Sequence, residues 1–232
     1  MLAPMPASAP ARRLRLRTVA ALVPLVALAG CGGLGQPVAY DQPGINGLVV
    51  PTPTANPDDF VEVVDNPWLP LEPGATARFD VSEDGTDIGS VETSVLDRTT
   101  DVGGLAATGV TTAYDVDGRT DITTRYYAQD ASGNVWVVGA DDGGPGRGDW
   151  RAGEDGAEAG LVMPAHLRLG DGWLSYAVPS LPEASRQVEE LSRDMVEMLD
   201  EADTSTRSVY EKGVGLVGFE DLDAGWTAEL VD

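Results

Sequence analysis

Residues 121–140 limit the folds open to this chain more than any other stretch. Ile122-Thr123-Thr124-Arg125-Tyr126-Tyr127-Ala128 and Val135-Trp136-Val137-Val138 are rich in β-branched and aromatic residues, which suit a pleated, half-buried surface. Between them stands Asp130-Ala131-Ser132-Gly133-Asn134, a run of Gly and Asx residues that favours a turn, so the whole reads as a β-hairpin. Side chains alternate between the faces of a strand. One face therefore carries Ile122, Thr124, Tyr126 and Ala128, and the other Thr123, Arg125 and Tyr127. The return strand is apolar at successive positions and is expected to be covered on both faces.

Strand-like alternation recurs at 76–81, 91–95, 105–114, 204–210, 213–219 and 226–231, spaced by Gly and Asp turns as in a meander. One stretch departs from this period. Over 182–202, Val188, Leu191, Met195 and Leu199 recur at three and four residues, with Val196 and Met198 widening the stripe. Ser180 is placed to cap a helix there, and Pro182 and Glu183 suit its first turn. The expected fold is mainly β within the α+β class: a curved antiparallel sheet, of half-barrel or sandwich form, with one amphipathic helix over 182–202 packed on it.

The N-terminal residues read as a processing signal. Arg12, Arg13, Arg15 and Arg17 precede an apolar run from 19 to 30, which is too short for a bilayer-spanning helix of about 20 residues. Leu28-Ala29-Gly30-Cys31 closes it and contains the sole cysteine. This segment resembles the lipobox of bacterial lipoproteins, which implies cleavage before Cys31 and lipidation of its thiol. Two or more acyl chains would give durable attachment. A lipidated Cys31 leaves no thiol for a disulfide, a metal or a nucleophile. Residues 31–59 are rich in Gly and Pro and read as a tether, leaving 60–232 as a single domain.

Removing residues 1–30 takes four arginines and no acid, so 11 basic residues face 38 acidic ones, a net charge of −27. Such a surface repels nucleic-acid phosphate and favours cations or basic partners. No basic and aromatic tract points to nucleic acid, and no cofactor motif is present.

Candidate site residues are few. Tyr126, Trp136, Trp150 and Trp173 are aromatic groups able to line a ligand groove, with ordinary core packing as the competing role. Asp115, Asp117 and Asp121 surround Gly118 in a string that faintly resembles a calcium loop. It lacks the later bidentate glutamate, and Arg119 intrudes. His166, the single histidine, has no nucleophile-elbow serine nearby. Arg147-Gly148-Asp149 is the integrin-type adhesion tripeptide, too short to indicate a function by itself, and the glycines of 141–160 lack the lysine and Ser/Thr of a phosphate loop.

Asn66-Pro67-Trp68-Leu69-Pro70-Leu71, Tyr126 to Gly139, Trp150-Arg151-Ala152-Gly153, Gly160 to Gly172 and Lys212 to Val217 together resemble a family of bacterial secreted proteins and lipoproteins without an established activity. The resemblance spans about residues 60–220 and implies a domain dominated by antiparallel strands. A strand and a Val-Pro-Ala-Gly turn, usual before the last glycine-rich strand, are replaced here by the acidic stretch around Val188 to Leu199.

Two kinds of function stay open at this point. One is a noncatalytic envelope domain, anchored to the membrane by its N-terminal lipid, that binds a cell-envelope protein, a glycan or an apolar ligand, or serves a structural role. The other is an envelope hydrolase working through two close carboxylates, one of them shielded enough for its pKa to rise.

Overall fold

The computed structural model describes residues 57–142 and 148–231. A 3-10 turn at Pro57–Asp59 leads into β1 (Phe60–Val61), β2 (Thr76–Glu83), β3 (Thr86–Val95), β4 (Thr100–Val102), β5 (Leu105–Val116), β6 (Arg119–Asp130) and β7 (Val135–Asp141). Then follow β8 (Trp150–Arg151), β9 (Gly160–Met163), β10 (Gly172–Tyr176), β11 (Ala184–Leu191), β12 (Met195–Glu201), β13 (Ser205–Glu211), β14 (Gly215–Asp221) and β15 (Trp226–Val231). The strands form one antiparallel sheet in the order β10-β11-β12-β13-β14-β15-β2-β3-β5-β6-β7-β8, with β1 on β6, β4 on β5 and β9 on β7. Most neighbours in the sheet are neighbours in sequence, as short turns dictate. The long-range exceptions are β1 on β6 and β15 beside β2, where Leu230 stands opposite Phe79 and Ala228 opposite Val81.

Alternation divides the sheet into two chemically different faces. The inner face carries Phe79, Val91, Val188, Val196, Met198, Tyr210 and Ala228, all buried. The outer face of β2, β3 and β11–β14 carries charge ladders, with Arg78 on Glu92 (2.7 Å) and Arg207 among Glu189, Glu197 and Glu220 (2.9, 3.3 and 3.2 Å). On β7 both faces are covered, as the unbroken apolar run predicts: Val135, Trp136, Val137 and Val138 are all buried.

The expectation of an α+β fold, with a half-barrel or sandwich bearing a helix over 182–202, is overturned. No α-helix occurs among the described residues, and the sheet is open, with no ladder joining β10 to β8. Residues 184–201 are the hairpin of β11 and β12, turned by Ser192-Arg193-Asp194, where Ser192 Oγ accepts from the Met195 N–H (3.0 Å). The period of two is hidden for two reasons. Arg186 and Asp200 occupy inward positions opposite each other and form an ion pair at 2.5 Å, so two charged residues stand where apolar ones would mark a strand. An irregularity between Val188 and Glu190 then shifts the phase of β11. Together these make two short strands imitate one helical stripe.

The alternation has a direct test. Met198 is fully buried whereas Met195 is 47% exposed. Met198→Ala should destabilise the domain by about 2–5 kcal/mol, and Met195→Ala should stay within about 0.5 kcal/mol. Urea unfolding of both variants checks this; equal losses would contradict the strand register.

Candidate functional site

The hairpin that dominates the sequence is held by a carboxylate hub. Asp130 Oδ1 accepts from the Ser132 and Asn134 N–H groups (2.8 and 3.0 Å), and Oδ2 accepts from Asn134 Nδ2 and Trp136 Nε1 (both 2.9 Å). Gly133 takes φ +91° in the turn, a value that a side chain disfavours.

Two distant segments close on this hub. Asn66 Nδ2 donates to Gly133 O (2.8 Å) and Pro164 O (3.3 Å), while Gln129 Oε1 accepts from the Asp65 and Asn66 N–H groups (3.0 and 2.8 Å). Asn134 Oδ1 accepts from the Ala165 N–H (2.9 Å). Asn66 and Gln129 are buried polar residues, and these bonds answer their need for partners. The strap then continues to the β13–β14 turn. Gly213 N–H donates to Pro67 O (2.6 Å), and Lys212 Nζ stands 5.8 Å from the Trp68 ring centroid.

The four candidate aromatic residues are packed rather than gathered around a groove. Tyr126, Trp136, Trp150 and Trp173 are only 8%, 2%, 8% and 8% exposed. Tyr126 Oη donates to Asp141 Oδ2 (2.7 Å), and Arg151, paired with Asp141 at 2.7 Å, lies 4.5 Å over the Tyr126 ring. Trp136 is committed to Asp130, and Trp173 Nε1 donates to Leu161 O (2.7 Å). Trp150 stacks at a tilt on Tyr176, 6.0 Å away.

The aspartates of the calcium-like string do not converge. Asp117 (φ +50°) and Gly118 (φ +69°) form the two-residue β5–β6 turn. Tyr114 stands opposite Asp121, so Asp121 shares the face of Tyr114 and Asp115 points to the other face. Among the described residues no group of three potential ligands is placed to hold a metal ion. His166 is exposed. Glu189, Glu197 and Glu220 do gather, but around Arg207 on the outer face. Burial raises the pKa of Glu197, and the Arg207 charge counteracts part of that rise.

A different constellation appears on the inner face. Strands β9 and β10, apart in the hydrogen-bonded order, are tied by the Trp173–Leu161 bond and, beside them, a bridge between Glu158 and Ala177, while Arg186 Nη1 of β11 donates to Val162 O of β9 (2.8 Å). This brings β11 near β6. Arg125, between Val110 and Ala140 in the ladder, is solvent-accessible, yet it lies within electrostatic reach of Tyr127, Tyr114, Arg186 and Tyr176. It makes no ion pair or hydrogen bond among the described residues. Arg186 differs. Burial works against its charge, but the Asp200 carboxylate beside it more than compensates and raises its pKa.

Tyr114 and Tyr210 remain donors at neutral pH. Burial raises the pKa of Tyr210 and of Tyr114, with Arg186 and Arg125 respectively opposing the shift. Asp121 and Asp221 are the acids that Tyr114 senses, toward the β5–β6 turn and the end of β14. Val95, Val110, Leu191 and Leu216 on the same face are only partly buried. Arg125 is an accessible guanidinium on a face that also carries phenols and half-covered apolar side chains. The β10–β11 edge also borders a shallow depression of about 400 Å³ lined by Trp173, Leu174, Ser185, Arg186 and Glu201; its cation is already paired with Asp200.

Arg186 and Leu191 escaped the sequence reading because they lay in the supposed helix. Arg125 was placed on the face opposite Tyr126 by alternation alone.

No family model and no curated protein sequence matches the chain. Among solved structures, a Bacteroides fragilis protein described as having a YmcC-like fold and inferred to be exported is similar at 12% identity, over 70% of this chain and 96% of that one, with a TM-score of 0.23. A superposition this loose transfers neither fold nor role.

Proposed function

We propose that this chain is a lipoprotein held on the extracytoplasmic side of a bacterial membrane, and that its domain is a noncatalytic binding module of the cell envelope. The observation that carries the location is Leu28-Ala29-Gly30-Cys31 at the end of an arginine-led apolar run, with Cys31 the sole cysteine. Cys31 lies outside the described residues. Support for binding comes from the inner face, where Arg125 is accessible and unpaired among the described residues while its surroundings are ordered strands. A rigid sheet that presents an accessible, hydrated cation loses little order on binding a ligand.

The hydrolase reading asks for two close acids in a shielded site. The acids that gather here surround an arginine on the outer face and are shared with it. That arrangement favours structural pairing over acid–base exchange.

Cys31→Ser is expected to move the protein from the membrane fraction to the soluble fraction and to remove an acyl mass increment at residue 31. Fractionation with intact-mass measurement checks this. An unmodified Cys31 on a membrane-bound chain would sink the anchoring proposal.

A further inference from the structure

We propose that the end of the sheet at which the chain enters the domain is a membrane-contact rim. It seats on a phospholipid surface with apolar loop tips in the acyl boundary and neighbouring cations at headgroup depth. The proposal rests on the lipid-anchor reading of Cys31 and adds to it a contact surface and an orientation.

The antiparallel register sorts the connections of the sheet between two ends. One end gathers the strap of residues 62–74, the β3–β4 connection and the β6–β7, β9–β10, β11–β12 and β13–β14 turns. Hydrogen bonds join them into one rim. Asn66 Nδ2 donates to Gly133 O and Pro164 O. The Gly213 N–H donates to Pro67 O (2.6 Å), the Lys212 N–H to Asp194 O (2.9 Å) and the Gly74 N–H to Val95 O (3.0 Å).

This rim collects the exposed large apolar side chains. Val61, Val63, Leu96, Leu169, Met195 and Val214 belong to it, and only Ile122 and Leu174 lie elsewhere among the described residues. Exposed apolar residues scattered singly are ordinary, whereas a set gathered on one side marks an interaction surface.

Charge follows the same division. Arg98, Arg168, Arg193 and Lys212 are exposed and stand within two residues of Leu96, Leu169, Met195 and Val214. An apolar tip beside a long cationic side chain suits the membrane interface, because the tip can enter the acyl boundary while the cation stays in the headgroup layer. Asp97, Asp171, Asp194 and Glu211 share these loops, so the cations are balanced and the apolar tips carry the contact. At the opposite end the turns are Glu83-Asp84-Gly85, Asp115-Val116-Asp117-Gly118, Glu201-Ala202-Asp203 and Asp221-Leu222-Asp223, with Arg119 beside the second. None of these exposes a large apolar side chain. Anionic headgroups repel that end, which favours approach with the rim first.

The point of chain entry identifies the occupant as a bilayer. The described domain opens at this same end, where Phe60 pairs with Asp130 and the Ala131 N–H donates to Asp59 O (2.8 Å). Residues 32–56, 25 in all, separate Cys31 from Pro57, and at about 3.6 Å per residue they span no more than about 90 Å. A lipid on Cys31 therefore keeps the rim at high effective concentration beside the membrane, where contacts too weak for free binding suffice.

The test uses the acylated protein reconstituted in vesicles of phosphatidylethanolamine and phosphatidylglycerol. Acylation consumes the Cys31 thiol, so Leu169→Cys on the rim, or Asp203→Cys at the opposite end, supplies the sole site for an environment-sensitive fluorophore. A lipid carrying a nitroxide just below its headgroup should quench the probe at position 169 and leave the probe at position 203 bright. Val63→Ser, Met195→Ser and Val214→Ser combined should abolish quenching at position 169. The thermal midpoint should match the parent, since all three side chains are exposed.

Should that triple variant fail to fold, Met195→Ser with Arg193→Glu carries the test through the same loss of quenching. Equal quenching at both positions, none at position 169, or quenching that survives the substitutions overturns the proposal. A blue-shifted but unquenched probe at position 169 assigns the rim to a second copy or a protein partner and overturns it equally. A chain without the acyl mass increment removes the anchor and the premise of the rim together, and intact-mass measurement separates that result from a failure of quenching.

Discussion

Gly160→Ala is expected to destabilise the domain by about 3 kcal/mol or more, at the upper end of what overpacking does. A methyl group built on Gly160 would overlap the backbone carbonyl of Ser175 and crowd Tyr176 Cα. The obstacle is backbone, which cannot swing aside as the tip of a flexible side chain can. Relief requires β9 and β10 to separate, and that movement breaks the Trp173–Leu161 and Arg186–Val162 hydrogen bonds and the Glu158–Ala177 bridge. Urea unfolding measures the loss, and Trp173 fluorescence reports the local opening. Gly89→Ala is a companion case at the other side of the sheet. Its added methyl would overlap Asp115 O, and its φ of +146° is one that L residues rarely adopt. Should Gly160→Ala unfold within about 0.5 kcal/mol of the parent, the close approach of β9 to β10 is wrong, and with it the placement of Arg186 near Arg125.

Asp130→Ala should produce the other large loss, about 3 kcal/mol. The substitution deletes one acceptor residue that receives four hydrogen bonds, two from the turn backbone and two from Asn134 and Trp136. Bonds to a charged acceptor contribute about 1.5–3 kcal/mol each. They are not additive here, because water can reach the half-exposed turn and replace some of them. The buried Trp136 indole N–H dominates the remainder, since an unsatisfied buried donor costs about 1–3 kcal/mol. Asp130→Asn should recover part of the loss, because the amide keeps one oxygen while its NH2 faces donors. A double-mutant cycle with Asn66→Ala is expected to show coupling of about 0.5–3 kcal/mol, transmitted through Gly133, whose carbonyl accepts from Asn66. Strict additivity would mean that the strap and the hairpin turn are energetically separate.

The clasp also gives physical meaning to segments that stand out in the sequence. Asn66-Pro67-Trp68, Gln129 to Trp136 and Pro164-Ala165 are far apart in the chain, yet hydrogen bonds join them at one turn. Their polar residues serve the satisfaction of buried backbone groups. Tyr126 and Trp136 owe their prominence to this assembly, since their polar atoms are spent on Asp141 and Asp130. An aromatic residue with one polar tip reads the same in a groove and in a core. Only its partners separate the two roles, and those partners come from elsewhere in the chain.

The β11–β12 hairpin shows how a periodicity argument fails. Hydrophobic period reports which side is buried only when inward positions are apolar. At Arg186 and Asp200 two inward positions carry opposite charges that neutralise each other across the ladder. Neither residue by itself indicates burial. Glu189 of β11 and Glu197 of β12 are held on the outer sheet face by Arg207 of β13. Outside this segment alternation served well, and β2, β3, β5, β6, β7, β13, β14 and β15 form where it points to strands.

The amino-acid sequence by itself determined the hairpin of β6 and β7 and the double-sided burial of Val135 to Val138. Each depends on residues within a few positions of one another, where backbone preference and side-chain alternation act directly. Tertiary structure alone decided that β11 and β12 are strands, that β9 reaches β10 through Gly160, and that Arg125 faces phenols and Arg186 instead of a carboxylate. The reason is the range of the forces concerned. An ion pair, a backbone close approach and an unpaired guanidinium are properties of groups separated by tens of residues, and they exist only once the sheet has brought those groups together.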